Sequence, residues 1–375
     1  IAIDARGILW AVDSGRINTL LPANNQLVCN PKLWLFDLKR NGSIVLRYDF
    51  PEEVVARGTN YLNKLVVDDA NGGFAYITDN NGADPGIVVF SRRINKSWKV
   101  RENNSMRANR DATTFTVNGT QLNFSIHIDG IAIGPYYNPA TGDVNLDTSG
   151  SYSIEQNYER NVYYSPLSSY HLYSIPASRL RDPEFSRKAT PRQLFEVVTD
   201  HGLKASQSDS LTSDNYGNIY FGLLRQHAIC KWDSYRPFTL ENQKIVARDP
   251  NFIQWSDGMG FDENGQMYVV VNRLYNFVAG RLREDEVNFR ILRSKTGTLS
   301  YVHTGRADTY EDNILNTVGN GPIYEINGNQ LGGFISSTTP ISLGSIGGRF
   351  NSASTHQTTS VALAGLIVML IKFVL

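Results

Sequence analysis

The feature that most constrains the fold of this chain is a short motif that recurs along it. An aspartate stands three residues before a glycine, and an apolar or aromatic run follows almost at once. The full copies occupy residues 4–7, 69–72, 214–217 and 262–265. Because glycine accepts the positive φ of a tight turn, each copy predicts a β-hairpin whose first strand ends at the aspartate.

The spacing of these hairpins predicts a repeat architecture. A degenerate fifth copy covers residues 131–134, where residues 135–143 make a longer turn. The copies lie roughly 50 to 80 residues apart, and four-stranded repeats of about 40–50 residues or more are typical of propeller blades. A sandwich of unrelated hairpins is the alternative. Five copies in a chain that starts inside its first copy predict an all-β, six-bladed β-propeller with an incomplete first blade.

The rest of the chain up to residue 327 fits the same fold. Its short apolar runs are bounded by Gly, Asn, Asp or Pro, as strands that end in turns should be. These runs include residues 8–12, 33–38, 74–78, 87–90, 219–221 and 267–271. Short helical turns are expected near Ala177–Arg181. We therefore assign residues 1–327 to the propeller.

The C-terminal region differs in composition. Residues 328–360 are rich in Gly, Ser and Thr, which predicts a linker. Residues 361–375 are apolar except for Lys372, and as a helix they span about 22 Å, less than the ~30 Å hydrocarbon core. Small residues, a polar spacer and an apolar tail, in that order, are typical of a glycosylphosphatidylinositol anchor signal. A short transmembrane anchor and a disordered apolar end remain alternatives.

Charge and cysteine content exclude several classes of protein. Lys plus Arg and Asp plus Glu both total 36, so the formal net charge is zero, which argues against a nucleic-acid partner. Two cysteines exclude a disulfide-dense scaffold and a cysteine-built zinc site. No common motif of hydrolases, zinc proteases or nucleotide-binding proteins occurs. We therefore expect no cofactor and no metal, and the sequence leaves open whether the protein is an enzyme.

The two cysteines are expected not to bond to each other. Cys29 and Cys230 are three blades apart in the predicted ring, whereas a disulfide needs Cα atoms within roughly 7 Å. We expect Cys29 to pair with a missing N-terminal segment. Cys230 is expected to be a buried free thiol or to pair elsewhere.

An ordered series of segments resembles the yellow/major royal jelly protein family. The matching segments are residues 29–37, 61–68, 73–79, 130–134, 162–169, 254–257 and 271–274. The resemblance implies a secreted, glycosylated, six-bladed propeller. It also implies association with cuticle pigmentation or nutrition, binding of biogenic amines in some members, and dopachrome conversion in others.

The sequence departs from the family in three ways. The N-terminal portion is absent, an apolar tail closes the chain, and Lys64 stands where the family often carries an acidic residue. The lysine weakens any claim for the metal site of the related calcium-dependent lactonase propellers. The remaining candidates for calcium ligands, namely Asn63, Asp129 and Asp209, are scattered.

Glycosylation sequons support an extracellular location. Single sequons arise by chance, but four of the five lie within residues 95–125, a polar stretch that is typical of a loop. The acceptor asparagines are Asn41, Asn95, Asn103, Asn118 and Asn123.

Propeller sites usually lie at the central channel, which is lined by the first strands and the loops that enter them. The residues that this predicts for a ligand site are Asn60, Tyr61, Asp129, Trp255, Ser256, Asp257 and Asn272. A protonated aromatic amine needs carboxylate or amide oxygens for its ammonium and an aromatic face for its ring. Trp255, Asp257 and Asn272 supply these groups. The alternative is that Trp255 packs between blades and Asp257 caps a turn.

One further pair has two interpretations. His127 and Asp129 are two residues apart on a predicted strand and so face the same side. They form either half of a metal or proton-transfer site or a structural pair.

Taken together, these features predict an extracellular, secreted or surface-anchored propeller that binds a small aromatic amine or catechol-derived molecule. The alternative is a dopachrome-converting or lactonase-like enzyme. A structural protein with an empty channel is the third interpretation.

Overall fold

The computed structural model of the protein describes residues 1–20, 25–123, 125–141, 144–145, 158–303 and 335–336. The strands of its first half are β1 (Ala2–Ile3), β2 (Ile8–Asp13), β3 (Arg16–Ile17), β4 (Gln26–Leu27), β5 (Lys32–Asp37), β6 (Ser43–Asp49), β7 (Leu62–Asp68), β8 (Phe74–Asp79), β9 (Gly86–Ser91), β10 (Lys96–Val100), β11 (Thr114–Val117), β12 (Thr120–Asn123) and β13 (Ile128–Tyr137). The later strands are β14 (Val144–Asn145), β15 (Glu159–Pro166), β16 (His171–Pro176), β17 (Thr199–Leu203), β18 (Leu211–Ser213), β19 (Asn218–Leu223), β20 (Ala228–Asp233), β21 (Gln243–Arg248), β22 (Ser256–Phe261), β23 (Gln266–Asn272), β24 (Phe289–Lys295) and β25 (Ile335–Ser336). The α-helices are α1 (Ala177–Arg181), α2 (Pro183–Lys188), α3 (Pro191–Glu196) and α4 (Leu274–Val278).

Most of the described strands form five antiparallel sheets of four or five strands, which we call blades 1 to 5, and β3-β4 and β11-β12 pair as separate hairpins. Blade 1 has the order β1-β2-β5-β6, blade 2 β7-β8-β9-β10, blade 3 β14-β13-β15-β16-β17, blade 4 β18-β19-β20-β21 and blade 5 β22-β23-β24-β25. Their inner strands contact one another in sequence: β1 with β7, β7 with β13, β13 with β18, and β18 with β22. This arrangement confirms the predicted β-propeller.

The described blades differ in number from the six predicted, and the first blade is more complete than expected. The described residues form five blades, and the sixth that we expected is not among them. The first strand of blade 1 is present, although β1 is only two residues long. Strand β25 lies within the stretch predicted as a linker and pairs with β24. The helical turn predicted at Ala177–Arg181 is α1.

The predicted aspartate–glycine turns join the first two strands of their blades. In blade 4, Asp214 accepts backbone hydrogen bonds from Tyr216 and Asn218, and its other oxygen accepts from the Tyr220 hydroxyl. Gly217 closes the turn with a φ of 80°, which a side chain would disfavour. Asp4 and Asp262 likewise accept from two backbone amides of their turns, and their other oxygens accept from the Trp10 indole in blade 1 and the Tyr268 hydroxyl in blade 5.

In blade 2 the predicted aspartate was wrong by one residue. Asp68, not Asp69, accepts from the Ala70 backbone and from the Tyr76 hydroxyl. The turn holds an additional 3₁₀ segment, Ala70–Gly72, so the aromatic partner follows eight residues after the aspartate rather than six. Asp69 is half-exposed instead.

The core lies within and between the blades, because alternating residues of each strand point to opposite faces. Strand β2 alternates buried and half-buried residues, and its Trp10 packs edge-on against Phe90 of blade 2. In blade 4, Trp232 packs against Tyr163 of blade 3. Aromatic residues therefore fill the wedge-shaped spaces between neighbouring sheets.

Three other expectations concern the cysteines and the tail. Both cysteines are free, so they do not bond to each other, as predicted; Cys29 is exposed and Cys230 is buried in β20. The pairing of Cys29 with another segment stays a prediction. In the part of the chain that the structure describes, no helix is long and apolar enough to cross a membrane. The tail at residues 361–375, for which we predicted an anchor, lies outside the described residues.

Candidate functional site

A layer of charged and amide side chains crosses the channel where the inner strands begin. Lys64 and Asn63 lie near the start of β7, Asp129 is the second residue of β13, and Asp257 is the second residue of β22. Asp209 lies just before β18. All three strands therefore present polar groups at the same end of the propeller.

A β-bulge lies at this layer in three inner strands. The register shifts between Leu62 and Leu65 in β7, between Ile128 and Gly130 in β13, and between Ser256 and Met259 in β22. A bulge adds one residue to a strand and redirects the side chains beside it. The bulges thus explain how charged groups in otherwise apolar strands point toward a shared centre.

Lys64 occupies that centre. Its ammonium lies 3.1 Å from Asp209 Oδ1, donates a hydrogen bond to Asp257 Oδ1, and lies 3.4 Å from the Asp257 carbonyl oxygen. Only 18% of the lysine side chain is exposed. One ammonium therefore pairs with carboxylates that arrive from two different blades.

Other side chains orient the carboxylates. Asn63 Nδ2 donates to Asp129 Oδ1, and Trp255 Nε1 donates to Asp209 Oδ2 at 2.6 Å. Asp257 Oδ2 accepts from Asn272 Nδ2 at 3.2 Å. Each carboxylate thus has a neutral hydrogen-bond donor, and this limits its rotation.

Burial and mutual charge shift the pKa values in this layer. Burial acts to lower the pKa of Lys64, whereas the carboxylates of Asp209 and Asp257 act to raise it. The carboxylates prevail, so the pKa of Lys64 lies above its ordinary value. Burial and the charge of Asp257 raise the pKa of Asp209 to about 6. Burial and the charge of Asp209 raise the pKa of Asp129 well above its ordinary value.

Close packing of blades 3 and 4 holds Asp129 and Asp209 together. A Cβ atom at Gly130 would lie 2.4 Å from Leu211 Cδ1 and 3.0 Å from the Asp209 carbonyl oxygen. Only glycine fits there. The absent side chain lets β13 and β18 approach, and this brings the two carboxylates into one layer.

The polar layer borders a cavity of about 910 Å³ inside the channel. Tyr61, Asn63, Lys64, Ser210 and Asp257 line it at the polar end. Ligand pockets for small molecules commonly have volumes of about 300–1,000 Å³. The cavity is therefore large enough for a small aromatic molecule.

A crossing segment, residues 299–303, lies at the opposite end of the channel. Leu299 exchanges hydrogen bonds with Asn215 in the β18–β19 turn, and the Tyr301 hydroxyl accepts from the Val67 backbone near the end of β7. Residues 300–303 line the same cavity. The polar layer and the crossing segment therefore face each other across it.

The structure separates the predicted ligand residues into two groups. Tyr61 and Asp257 line the cavity directly. The others are almost fully buried behind the wall: Asn60, Asp129, Trp255, Ser256 and Asn272. Trp255 packs against Phe115 of the β11–β12 hairpin. These buried residues support the wall rather than form its surface.

Sequence reasoning gave too little weight to Lys64, Asn63 and Ser210. Ser210 lines the cavity, and its buried hydroxyl has no hydrogen-bond partner among the described residues. A lysine within the apolar strand of residues 62–68 was the available signal, because a buried charge requires a partner. The bulges that bring the partners to it have no clear sequence signature.

His127 and Asp129 do not act as a pair. His127 Nδ1 accepts a hydrogen bond from the Ala108 backbone at 2.8 Å, whereas Asp129 bonds to Asn63. Burial and the charge of Arg107 lower the pKa of His127. The histidine therefore has a structural role in the loop that enters β13.

The layer does not fit a divalent metal ion. Calcium takes six to eight oxygen ligands at about 2.3–2.6 Å, and here the ammonium of Lys64 stands among the oxygens of Asp209 and Asp257. Across the described ranges, no group of three or more His, Cys, Asp or Glu residues is arranged to hold a metal. The oxygen atoms that could bind a metal ion are thus already paired with the ammonium of Lys64.

The sequence profile described as "Major royal jelly protein" matches residues 1–303, most of the chain. The chain belongs to the major royal jelly protein family. Membership agrees with the propeller topology and with the resemblance noted in the sequence.

Curated relatives are distant. Dopaminechrome tautomerase of Drosophila melanogaster is 25% identical over 82% of this chain and 65% of its own length. Protein yellow of Drosophila madeirensis is 27% identical over 80% of this chain and 49% of its own. Major royal jelly protein 7 of Apis mellifera is 25% identical over 78% of this chain and 62% of its own. The chain thus spans about half to two thirds of the length of these relatives.

Proposed function

We propose that this family member is an extracellular protein that binds a small aromatic amine or catechol-derived molecule in the channel cavity, in a pigmentation or cuticle role. The observation that carries the proposal is the Lys64–Asp257 pair at the polar end of a cavity of about 910 Å³. A catechol or quinone oxygen accepts hydrogen bonds from an ammonium, and an amine or hydroxyl donates to a carboxylate. Both partners stand side by side here.

Two neighbouring groups fit the rest of such a ligand. Tyr61 provides an aromatic face on the cavity wall, suited to a flat ring. The Ser210 hydroxyl, which lacks a partner among the described residues, can accept from or donate to a second ligand oxygen. Burial and the charge of Asp129 raise the pKa of Tyr61, so its hydroxyl stays protonated.

An extracellular location is part of this proposal. All five acceptor asparagines, namely Asn41, Asn95, Asn103, Asn118 and Asn123, are exposed, so each is accessible to glycosylation. Membrane attachment through residues 361–375 remains part of the proposal. Digestion of the secreted protein with a glycan-removing amidase, followed by peptide mass spectrometry, tests which asparagines are modified.

Calorimetric titration with dopamine, serotonin and histamine tests the binding function. Asp257→Asn keeps the shape of the side chain but removes its charge, and should weaken amine binding by roughly 1.5–3 kcal/mol. Asn272→Ala should weaken it as well, because Asn272 orients Asp257. Asp285→Asn is the matched control, since Asp285 is exposed and its ion pair within the described ranges is with Arg283. Unchanged affinity in both channel variants, with the fold retained, would remove Asp257 from the site.

A tautomerase is the second candidate function, and one observation favours it. Proton transfer is fastest when the catalytic group has a pKa near the working pH, and Asp209 has its pKa raised to about 6 beside Lys64. A relative named dopaminechrome tautomerase makes dopaminechrome the substrate to test. Loss of dopaminechrome absorbance at a rate proportional to protein concentration would establish an enzyme. Saturable binding without turnover would establish a binding protein.

A further inference from the structure

We propose that Lys64 is a built-in counter-cation of the channel: its ammonium occupies a position that a divalent cation would otherwise take, and removal of that charge turns the layer into a cation site. The proposal concerns the same cavity as the proposed function but does not require that any amine or catechol bind there.

Oxygen atoms surround the ammonium of Lys64. Lys64 Nζ faces Asp209 Oδ1, Asp257 Oδ1 and the Asp257 carbonyl oxygen. Carboxylate and carbonyl oxygens are the ligands that calcium prefers. The lysine is therefore surrounded by oxygen atoms of the kind that bind calcium. In this structure those oxygens accept hydrogen bonds from its ammonium instead.

Both carboxylates that face Lys64 are buried. Asp209 is 4% exposed and Asp257 is 5% exposed, so water contributes little to their solvation. Carboxylates in such a place require a compensating positive charge. No other cationic side chain is within ion-pair distance of either one in the part of the chain that the structure describes. Lys64 therefore supplies the compensating charge for both carboxylates.

Groups other than the lysine orient both carboxylates. Trp255 Nε1 holds Asp209 Oδ2, and Asn272 Nδ2 holds Asp257 Oδ2. Both contacts use the oxygen that Lys64 does not use. The oxygens that face the lysine should thus keep their positions when its charge is removed, and a cation can then bind between them.

The experiment measures calcium binding by the full chain carrying Lys64→Met, which keeps most of the side-chain volume and removes the charge. We expect the variant to bind Ca²⁺ with a Kd of about 0.1–1 mM, the range of extracellular calcium modules, and to show a higher Tm in Ca²⁺. The unmodified protein should show neither effect. Lys64→Arg retains the charge and should behave like the unmodified protein. Lys39→Met, at an exposed lysine of the same cavity wall, is the matched control.

A second variant keeps the test decisive if the first folds poorly. Lys64→Met/Asp209→Asn/Asp257→Asn removes the ammonium together with both carboxylates that it faces, so this variant should fold without calcium. A Lys64→Met protein that folds only with Ca²⁺ supports the proposal. The proposal is overturned if folded Lys64→Met binds no Ca²⁺, or if the unmodified protein or Lys64→Arg binds it equally well. Failure of Lys64→Met to fold at about 10 mM Ca²⁺, whether or not the triple variant folds, also overturns it.

This result is separable from the proposed function. Calcium binding by Lys64→Met is read without any organic ligand, whereas the amine titrations use the unmodified channel. Loss of one conclusion therefore leaves the other standing.

Discussion

Single ionisable side chains determine how this propeller responds to pH, because several of them are buried inside the blades. His201 lies in β17, where its Nε2 is 2.8 Å from Ser174 Oγ. Its ring packs near Tyr163 and Trp232. Burial lowers the pKa of His201 to about 4. The neutral imidazole is therefore the form that fits this site.

His201 predicts a loss of stability in mild acid. A folded-state pKa below the unfolded value of about 6.5 means that the unfolded chain binds the proton more tightly. The contribution of the neutral ring is thus complete above about pH 6.5 and declines as the pH falls toward about 4. His201→Gln keeps a donor for Ser174 and cannot titrate.

Denaturant unfolding at several pH values between those limits tests this prediction. The free energy of unfolding should fall less steeply with acidification in His201→Gln than in the unmodified protein. Equal slopes in the two proteins would show that His201 does not contribute to acid sensitivity.

At the scale of secondary-structure elements, the aspartate at each hairpin links a turn to the strand that follows it. One carboxylate oxygen of Asp214 holds two backbone amides of the turn, and the other holds the Tyr220 hydroxyl of β19. The amides are those of Tyr216 and Asn218. The motif therefore joins the first two strands of a blade at the turn between them.

Asp214→Ala should destabilise the protein by about 1–3 kcal/mol or more. This is the cost of leaving one buried hydrogen-bond donor, such as the Tyr220 hydroxyl, without an acceptor. The reason is that Asp214 is 1% exposed, so water cannot readily replace it. Asp233→Ala is a matched control, because Asp233 caps an exposed turn through the Tyr235 amide and pairs with Arg236. Chemical denaturation of both variants measures the difference. Equal small losses would contradict a structural role for the motif.

At the scale of the whole molecule, an ionic cluster ties blade 2 to blade 3. Asp68 of β7 lies 3.3 Å from Arg160 Nη1 in β15 and 3.6 Å from Arg181 Nη1 in α1. Its oxygens also accept from the Tyr76 and Tyr136 hydroxyls. Burial acts to raise the pKa of Asp68, but the two arginines outweigh it and lower the pKa. The carboxylate therefore stays charged between the blades.

Asp68→Asn should reduce stability by about 3–5 kcal/mol, because it removes the carboxylate that pairs with the buried Arg160 and leaves Arg181 only its more distant pair with Glu159. Its neighbour gives an unusually close control. Asp69→Asn makes the same chemical change at a half-exposed residue and should cost about 0.5 kcal/mol or less. Thermal and denaturant unfolding distinguish the two. A loss at Asp69 as large as that at Asp68 would contradict the assignment of Asp68 as the tie between blades.

The sequence by itself determined the class of fold and the family. Short apolar strands, aspartate–glycine turns and their spacing are local features, and each hairpin depends mainly on residues near one another in the chain. The absence of a Cys29–Cys230 bond followed from the same repeat, because blade order sets the distance between them. The identity of the turn aspartate in blade 2 did not follow, since the extra 3₁₀ segment moved it to Asp68.

Only the tertiary structure decided which side chains form the site. Lys64, Asp209 and Asp257 are separated by 145 and 48 residues in the chain, yet they meet because three strands from different blades converge on one axis. Their orientation depends on bulges and on the absence of a side chain at Gly130. These are properties of packing between blades, which no local pattern of residues records. For that reason the sequence located the channel, and the fold placed a lysine at its centre.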